Sequence, residues 1–350
     1  MPGYGTIAPR SPVPVIPAGP PAEIPLVDLK SEESPEGLMQ GHELHFGAGM
    51  ALDASQTASQ ARWMEDLGYE YLSAGEHFMR GDPPGATDAA LPLLAVAAGA
   101  TEKIRLLSSI LLTPFYHPLL LAKFTATLDI ASQGRLTLGI GVGGEFPVEF
   151  EAAGLKVSQR GRRTNECLEC LRLLWSGEPV DFHGRHFQLD GASINPVPTQ
   201  KPYPAIWVSG RREAAMERAV RFGSGWMPYF YDPARYRDSV GKIQDLALAQ
   251  NKDMSQFQWA FFPYISIYPT VEEAAAVAAQ ELGGRYLYGS DFIEIVRRYC
   301  LLGSVEDCAT RLREYIDAGA RHIVFSITCP EEDRTRHIET IAKDLIPMFR

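Results

Sequence analysis

Ser209-Gly210-Arg211-Arg212 is the strongest anion-binding stretch in the chain. A hydroxyl, a glycine and two guanidinium groups suit a phosphate, above all where a helix begins just behind them. Cations at a helix N-terminus oppose its dipole. A bound anion therefore explains the two arginines better than a solvated first turn. A second cluster is Gly139, Gly141, Gly143 and Gly144, with Val142 and Glu145 in or beside it. Glycines at the end of an apolar run let backbone approach a ligand closely; a plain glycine-rich turn is the alternative. The spacing G-x-G-x-G-G is not the dinucleotide fingerprint G-x-G-x-x-G, and no acidic residue follows at the right distance on a second strand. The third cluster is Glu76-His77-Phe78. Histidine exchanges protons near neutrality, so His77 is a candidate acid or base. Glu76 would orient it or shape the pocket. A structural histidine bonded to Glu76 or to backbone is the equal alternative.

These clusters need strands to carry them. Residues 136–140 form an apolar run with no polar alternation, which predicts a strand covered on both faces, as in a parallel sheet under helices. Strands are predicted over 44–50, 70–74, 104–112, 205–208, 225–229, 258–268 and 322–328. Helices are predicted over 57–67, 91–100, 119–130, 165–175, 213–222, 238–250, 271–282, 292–301, 305–318 and 338–348. Residues 180–190 read as a hairpin with His183-Gly184 as its turn. Eight strands alternating with helices predict a (β/α)8 barrel, the TIM-barrel fold; a doubly wound open sheet is the alternative. Insertions are expected near 176–203 and 269–303.

In such a barrel the strand carboxyl ends converge on one mouth. His45, Phe46 and Met50 would lie at or near it on the first strand, Ser109 and Ile110 on the third. Gly141, Val142, Gly143 and Glu145 would end the fourth, and Trp226 to Tyr229 the sixth. Phe46, Phe78, Trp226 and Tyr229 are the candidates for an apolar pocket.

The chain has 350 residues, 45% hydrophobic and 22% charged, enough for a large core. A net charge of -10 argues against nucleic acid or an anionic membrane as the main partner. Five cysteines, an odd number, suit a reducing cytoplasm, and Cys167 and Cys170 fall on one predicted helix as packing residues. No apolar run is long enough to span a membrane, and no secretory signal pattern opens the chain. Nine of the 26 prolines lie in the first 35 residues, which predicts an extended or disordered arm over 1–40 ahead of the barrel domain at 41–350. There is no H-E-x-x-H, no carboxylate cluster at metal spacing and no G-x-S-x-G. No metal site is therefore expected.

The run Ile110-Leu-Leu-Thr-Pro-Phe-Tyr-His-Pro-Leu-Leu-Leu-Ala-Lys123, then Thr127-Leu-Asp129 and Gly134-Arg-Leu-Thr-Leu-Gly-Ile-Gly-Val-Gly-Gly144, resembles the bacterial luciferase-like monooxygenase family. Phe150-Glu-Ala-Ala-Gly154, Arg160-Gly-Arg-Arg163, Pro204-Ala-Ile-Trp-Val-Ser-Gly210, Gly225-Trp226 and Gly303-Ser-Val-Glu306 belong to the same pattern. The resemblance implies a (β/α)8 barrel with insertions, a homodimer or larger assembly, and a site for reduced FMN or for a deazaflavin, coenzyme F420. It implies that Ser209, Gly210 and Arg211, with Arg212 beside them, hold the cofactor phosphate. Ser109, Ile110, Gly141, Val142 and Gly143 would also bind the cofactor, with the Ser109–Ile110 backbone bulging against its ring. His77 would be the proton donor or acceptor, and a non-proline cis peptide would fall near Ser109–Ile110. Several FMN-using relatives carry an arginine where this chain has Val142. Deazaflavin users place a glutamate in the same loop, one residue earlier than Glu145. The expected function is a cytoplasmic monooxygenase acting on a small organic substrate with oxygen and reduced FMN from a separate flavin reductase. An F420-dependent dehydrogenase or reductase is the first alternative; a non-catalytic flavin-binding protein is the second.

Overall fold

The computed structural model describes residues 43–50, 53–81, 83–283 and 292–350. The proline-rich arm expected over 1–40 lies outside the described residues, as does part of the second expected insertion.

Eight strands run parallel and close on themselves: β1 (His45–Gly49), β2 (Tyr71–Ala74), β3 (Arg105–Leu112), β4 (Leu136–Gly141), β7 (Ala205–Val208), β8 (Gly225–Trp226), β9 (Gln258–Phe261) and β12 (His322–Ile327). The seam closes where β1 pairs β12, with His45 opposite His322 and Ala48 opposite Phe325. The expected (β/α)8 barrel is therefore the observed fold. Every residue of β2 and β4 is buried, because one face fills the barrel and the other lies under helices. Tyr71, Leu107, Trp207, Met227, Ala260 and Val324 make one cluster. Full burial of each large apolar side chain contributes about 1.5–3 kcal/mol, and β-branched and aromatic residues suit strands that must be apolar on both sides.

The helices between the strands are α1 (Thr57–Asp66), α2 (Ala90–Ala100), α3 (Pro118–Ala131), α4 (Pro147–Ala152), α5 (Arg160–Leu174), α6 (Glu213–Phe222), α7 (Pro233–Ala249), α8 (Val271–Gly283), α9 (Phe292–Tyr299), α10 (Val305–Asp317) and α11 (Glu331–Thr340). Their starts are chemically marked. Pro118, Pro147 and Pro233 stand at first positions, where a missing N–H costs nothing. Ser304 and Asp307 form a capping box on α10. The far end of α6 is held by Lys252, whose ammonium donates to the carbonyls of Val220 and Gly223, both at 2.6 Å.

Several boundaries differ from the sequence expectation, each for a local reason. The hairpin pairs β5 (Val180–His183) with β6 (Gln188–Ala192). Its connection is residues 184–187 rather than a tight His183-Gly184 turn. The Glu166 carboxylate on α5 gathers the amides of Arg185, His186 and Phe187 at 3.1, 2.7 and 3.3 Å and so sets the longer loop. The single strand expected over 258–268 is two. Pro263 has no N–H to continue a ladder. After it β10 (Tyr264–Ile267) pairs with β12 and with β11 (Leu301–Gly303). β11 occupies the end of what reads as a helix over 292–301, since a short apolar run fits either element. The closing helix starts at Glu331, seven residues before the apolar pattern begins, and finishes in a π turn and a 3-10 turn.

Candidate active site

A cavity of about 290 Å³ opens at the strand carboxyl ends, near the lower bound of about 300 Å³ usual for small-molecule sites. Its walls come from the ends of β1 to β4, β7, β8 and β12. Met50 lines it. His45 does not: it is the first residue of β1, at the opposite end, bonded to Glu70 and stacked on His322 at 4.7 Å.

The peptide Ser109–Ile110 is cis, as the family resemblance implies. The register between β3 and β4 shifts between Ser108 and Leu111. The glycines of β4 make room for this irregular backbone. A Cβ on Gly139 would lie 2.0 Å from the Ser108 carbonyl oxygen, and one on Gly141 would lie 1.9 Å from Ile110 Cδ1. Gly139 is thus required by the backbone of the neighbouring strand, whereas Gly141 meets only a side-chain end and itself lines the cavity. Gly143 and Gly144 serve the turn, with φ of +60° and +103°. Arg160, at the start of α5, donates to the Gly143 carbonyl at 3.1 Å and pins that turn. Ser109 donates to the Ser73 hydroxyl at 3.0 Å, so two hydroxyls line the cavity together.

His77 follows β2. Its Nδ1 stands 3.4 Å from both carboxylate oxygens of Glu149, and its Nε2 stands 4.0 Å from Glu145 Oε2. The ring packs edge-on against Phe146, with centroids 5.0 Å apart and planes at 89°. Thr87 donates to the His77 carbonyl at 2.7 Å. Glu145 in turn accepts a short hydrogen bond from the Tyr229 hydroxyl. Glu76, expected to orient His77 or to shape the pocket, lines the cavity and bonds other partners. It accepts from the amides of Leu112 and Ala90 at 2.8 and 3.3 Å and from the Tyr116 hydroxyl at 2.9 Å. It therefore ties the end of β2 to the end of β3 and the start of α2. Burial raises its pKa above the usual carboxylate range, and those three donors work against the rise.

Glu149 was not singled out by the sequence. It lies 72 residues from His77 in the short helix α4. The one signal for it is a carboxylate within a few residues of the glycine turn that ends a barrel strand.

Ser209 and Gly210 line the cavity where β7 gives way to α6, and Gly210 has φ +136°. Arg212 is the α6 N-cap residue and makes no side-chain cap. Donors from three side chains fix this backbone. Trp226 Nε1 bonds the Gly210 carbonyl at 3.1 Å, and Tyr231 and Arg235 bond the Arg211 carbonyl at 3.1 and 2.9 Å. The Arg211 guanidinium stacks over the Tyr229 ring, 5.0 Å from its centroid. Arg211 and Arg212 stand outside the cavity wall; Val142 and Gly143 are in it.

Of the four aromatic pocket candidates, Tyr229 alone lines the cavity. Phe46 is fully buried against Phe325 and Phe349. Trp226 is fully buried beside Tyr231 and Tyr236. Phe78 is 45% exposed and packs on Phe115. In a strand that is apolar on both faces, composition does not say which residues point inward.

With barrel and cavity in place, the comparisons with known proteins agree with the sequence resemblance. The model of the luciferase-like monooxygenase family matches residues 38–322, and the chain belongs to that family. It is 25% identical over 312 residues to an F420-dependent glucose-6-phosphate dehydrogenase of Nocardia farcinica, covering 82% of this chain and 91% of that enzyme. It is 28% identical over 231 residues to an FMNH2-dependent dimethylsulfone monooxygenase of Pseudomonas putida, covering 65% of this chain and 62% of that enzyme. Among solved structures it resembles the monooxygenase RslO1 of Streptomyces bottropensis, with TM-score 0.75 and 24% identity over 88% of this chain and all of that one. It also resembles an F420-dependent secondary alcohol dehydrogenase in complex with an F420–acetone adduct, with TM-score 0.77 and 21% identity over 88% of this chain and 99% of that one. These structural likenesses establish the fold.

Proposed function

We propose that this protein is an oxidoreductase that holds a flavin-type cofactor in the barrel-mouth cavity and oxidises a small organic substrate with reduced FMN and oxygen. The observation that carries the reading is the His77 imidazole at the edge of that cavity, with one carboxylate near each ring nitrogen. The cavity walls fit a flat ring system. One side is the irregular backbone at Ser109–Ile110, and Gly141, Val142 and Gly143 lie next to it. At another edge Ser209 and Gly210 lead into the α6 N-terminus, where an anionic group is favoured.

In this reading Ser209 and Gly210 bind the cofactor phosphate, and Arg211 and Arg212 add positive charge from just outside the wall. The bound cofactor supplies the redox chemistry. His77 holds or releases a proton at Nε2. Tyr229, Phe146 and Ile110 exclude water from the apolar part of the pocket. Glu76 keeps the ends of β2 and β3 together rather than exchanging protons itself.

The second reading is an F420-dependent dehydrogenase or reductase. Two observations favour it: Val142 stands where several FMN users carry arginine, and the Glu145 carboxylate lines the cavity as a candidate proton donor. Oxygen uptake separates the two. With FMN kept reduced by an added flavin reductase, a panel of sulfones, ketones and secondary alcohols is screened for substrate-linked oxygen consumption. The first reading predicts it. Substrate-linked change in F420 absorbance without oxygen uptake moves the assignment to the second. A His77→Ala protein that keeps cofactor binding and loses turnover contradicts a storage or sensing role.

The same proposal includes a homodimer or larger assembly. Val96 on α2 and Leu120 and Phe124 on α3 expose large apolar side chains at 47%, 54% and 53%. Light scattering of wild type and Leu120→Glu checks this: the variant shifts toward monomer. Among the described residues no helix is long and apolar enough to cross a membrane. The five cysteines are all free and buried, as suits a reducing cytoplasm.

A further inference from the structure

We infer that Glu149 is a positioning residue that fixes the protonation tautomer of His77, holding the proton of the neutral ring on Nδ1 and leaving the Nε2 lone pair to the cavity. The inference rests on the reading of His77 as the group that handles a proton at this site, but its geometry stands without any cofactor.

Glu149 is 1% exposed, and a buried carboxylate needs donors. It finds them in one place, the backbone and ring that begin at His77. Its Oε2 accepts from the Phe78 amide at 3.2 Å and stands 3.5 Å from the Met79 amide. Both of its oxygens lie 3.4 Å from His77 Nδ1. A carboxylate is an acceptor only, so Nδ1 must be the donor in that pair. A neutral imidazole carries one proton, and with that proton on Nδ1 the other nitrogen is left as an acceptor. The competing carboxylate, Glu145, is 4.0 Å from Nε2, beyond hydrogen-bond reach. Its Oε1 is already engaged by the Tyr229 hydroxyl. Phe146 against the ring edge and Thr87 on the His77 carbonyl hold the imidazole in the orientation that makes this choice.

The two oxygens of Glu149 are not equivalent, and that makes a sharp test. Oε2 serves the two amides as well as the ring; Oε1 serves the ring alone. In Glu149→Gln the amide oxygen must stay with the Phe78 and Met79 N–H groups, because an NH2 there would face two donors. The NH2 then takes the place of Oε1 and points a donor at Nδ1. The amide oxygen at the Oε2 position still stands 3.4 Å from Nδ1, so the ring there meets one donor and one acceptor and loses its bias toward the Nδ1–H form.

The full-length protein without cofactor, labelled with 15N in its histidines, is examined by long-range proton–nitrogen correlation at alkaline pH. His77→Gln assigns the signal. The wild-type ring is expected in the Nδ1–H form, and the Glu149→Gln ring with a larger share of the Nε2–H form. A wild-type ring in the Nε2–H form overturns the inference, as does an unchanged tautomer ratio in folded Glu149→Gln. The wild-type spectrum alone decides if the variant fails to fold. The experiment uses no cofactor or substrate. Failure of the proposed oxidoreductase activity and failure of this positioning role therefore give different results.

Discussion

Tyr229 stands between Arg211 and Glu145. Its hydroxyl donates to the Glu145 carboxylate, and the Arg211 guanidinium covers its ring. The loop after β8 thereby connects the residues beside α6 with the residues beside His77. This contact couples the proposed phosphate end of the cavity to its proposed proton-handling end.

Tyr229→Phe keeps the ring under Arg211 and removes the hydroxyl. A hydrogen bond to a charged group contributes about 1.5–3 kcal/mol where both partners are buried; these two are half-buried, so the cost to folding is about 1 kcal/mol. The larger expected effect is on turnover, with a fall of about tenfold as Glu145 loses its fixed position. Urea unfolding and steady-state kinetics measure the two. A variant equal to wild type in turnover removes Glu145 from the proposed machinery.

Gly139→Ala tests the account of the glycine cluster. The new methyl would lie 2.0 Å from the Ser108 carbonyl oxygen, a backbone atom that cannot swing away. Overpacking of this kind costs about 1–3 kcal/mol or more. The expected result is a lower urea midpoint and a weakened cavity, even though Gly139 touches no proposed ligand. Gly68→Ala is the comparison. That glycine has open space around it and a φ of +83°, so its cost is conformational only.

His337 predicts how stability responds to acid. The ring is fully buried. Its Nε2 accepts from the Ile267 amide at 3.0 Å, and Nδ1 donates to the Asp333 carbonyl at 2.9 Å. Burial holds its pKa below the ordinary histidine value of about 6.5. As pH falls through that value the unfolded chain takes up a proton that the folded chain refuses. Stability from this residue is therefore present above about pH 6.5 and declines as pH drops toward the lower folded value. The urea midpoint of wild type should fall more between pH 7.5 and 5.5 than that of His337→Gln. Parallel curves for the two proteins would show that this histidine does not titrate on unfolding.

Much of this was legible in the chain. The strand at 205–208 and the helix at 213–222 match the observed β7 and α6 residue for residue, because an apolar tetrad and a strong 3.6-residue pattern are bounded by glycine and charge. His77, Glu145, Ser209 and Gly210 come together in one cavity, as strand ends in a barrel must. Glu149 was not legible, because its partner is reached only by folding and its neighbours look like an ordinary polar helix start. Phe46 and Trp226 were placed in the pocket because strand composition gives the element and not the face. Pro263 carried the break in the seventh strand, yet the apolar run on both sides of it reads as continuous.

The most direct test of the central claim is an anaerobic titration of the full chain with reduced FMN and, in parallel, with reduced F420, for wild type and Arg211→Ala. Saturable binding of one of the two is expected, weakened about two- to fivefold in Arg211→Ala, since a charge outside the wall contributes about 0.3–1 kcal/mol. Preference for FMN supports the oxygen-dependent reading, and preference for F420 supports hydride transfer. Binding of neither would contradict a flavin-type site in this cavity.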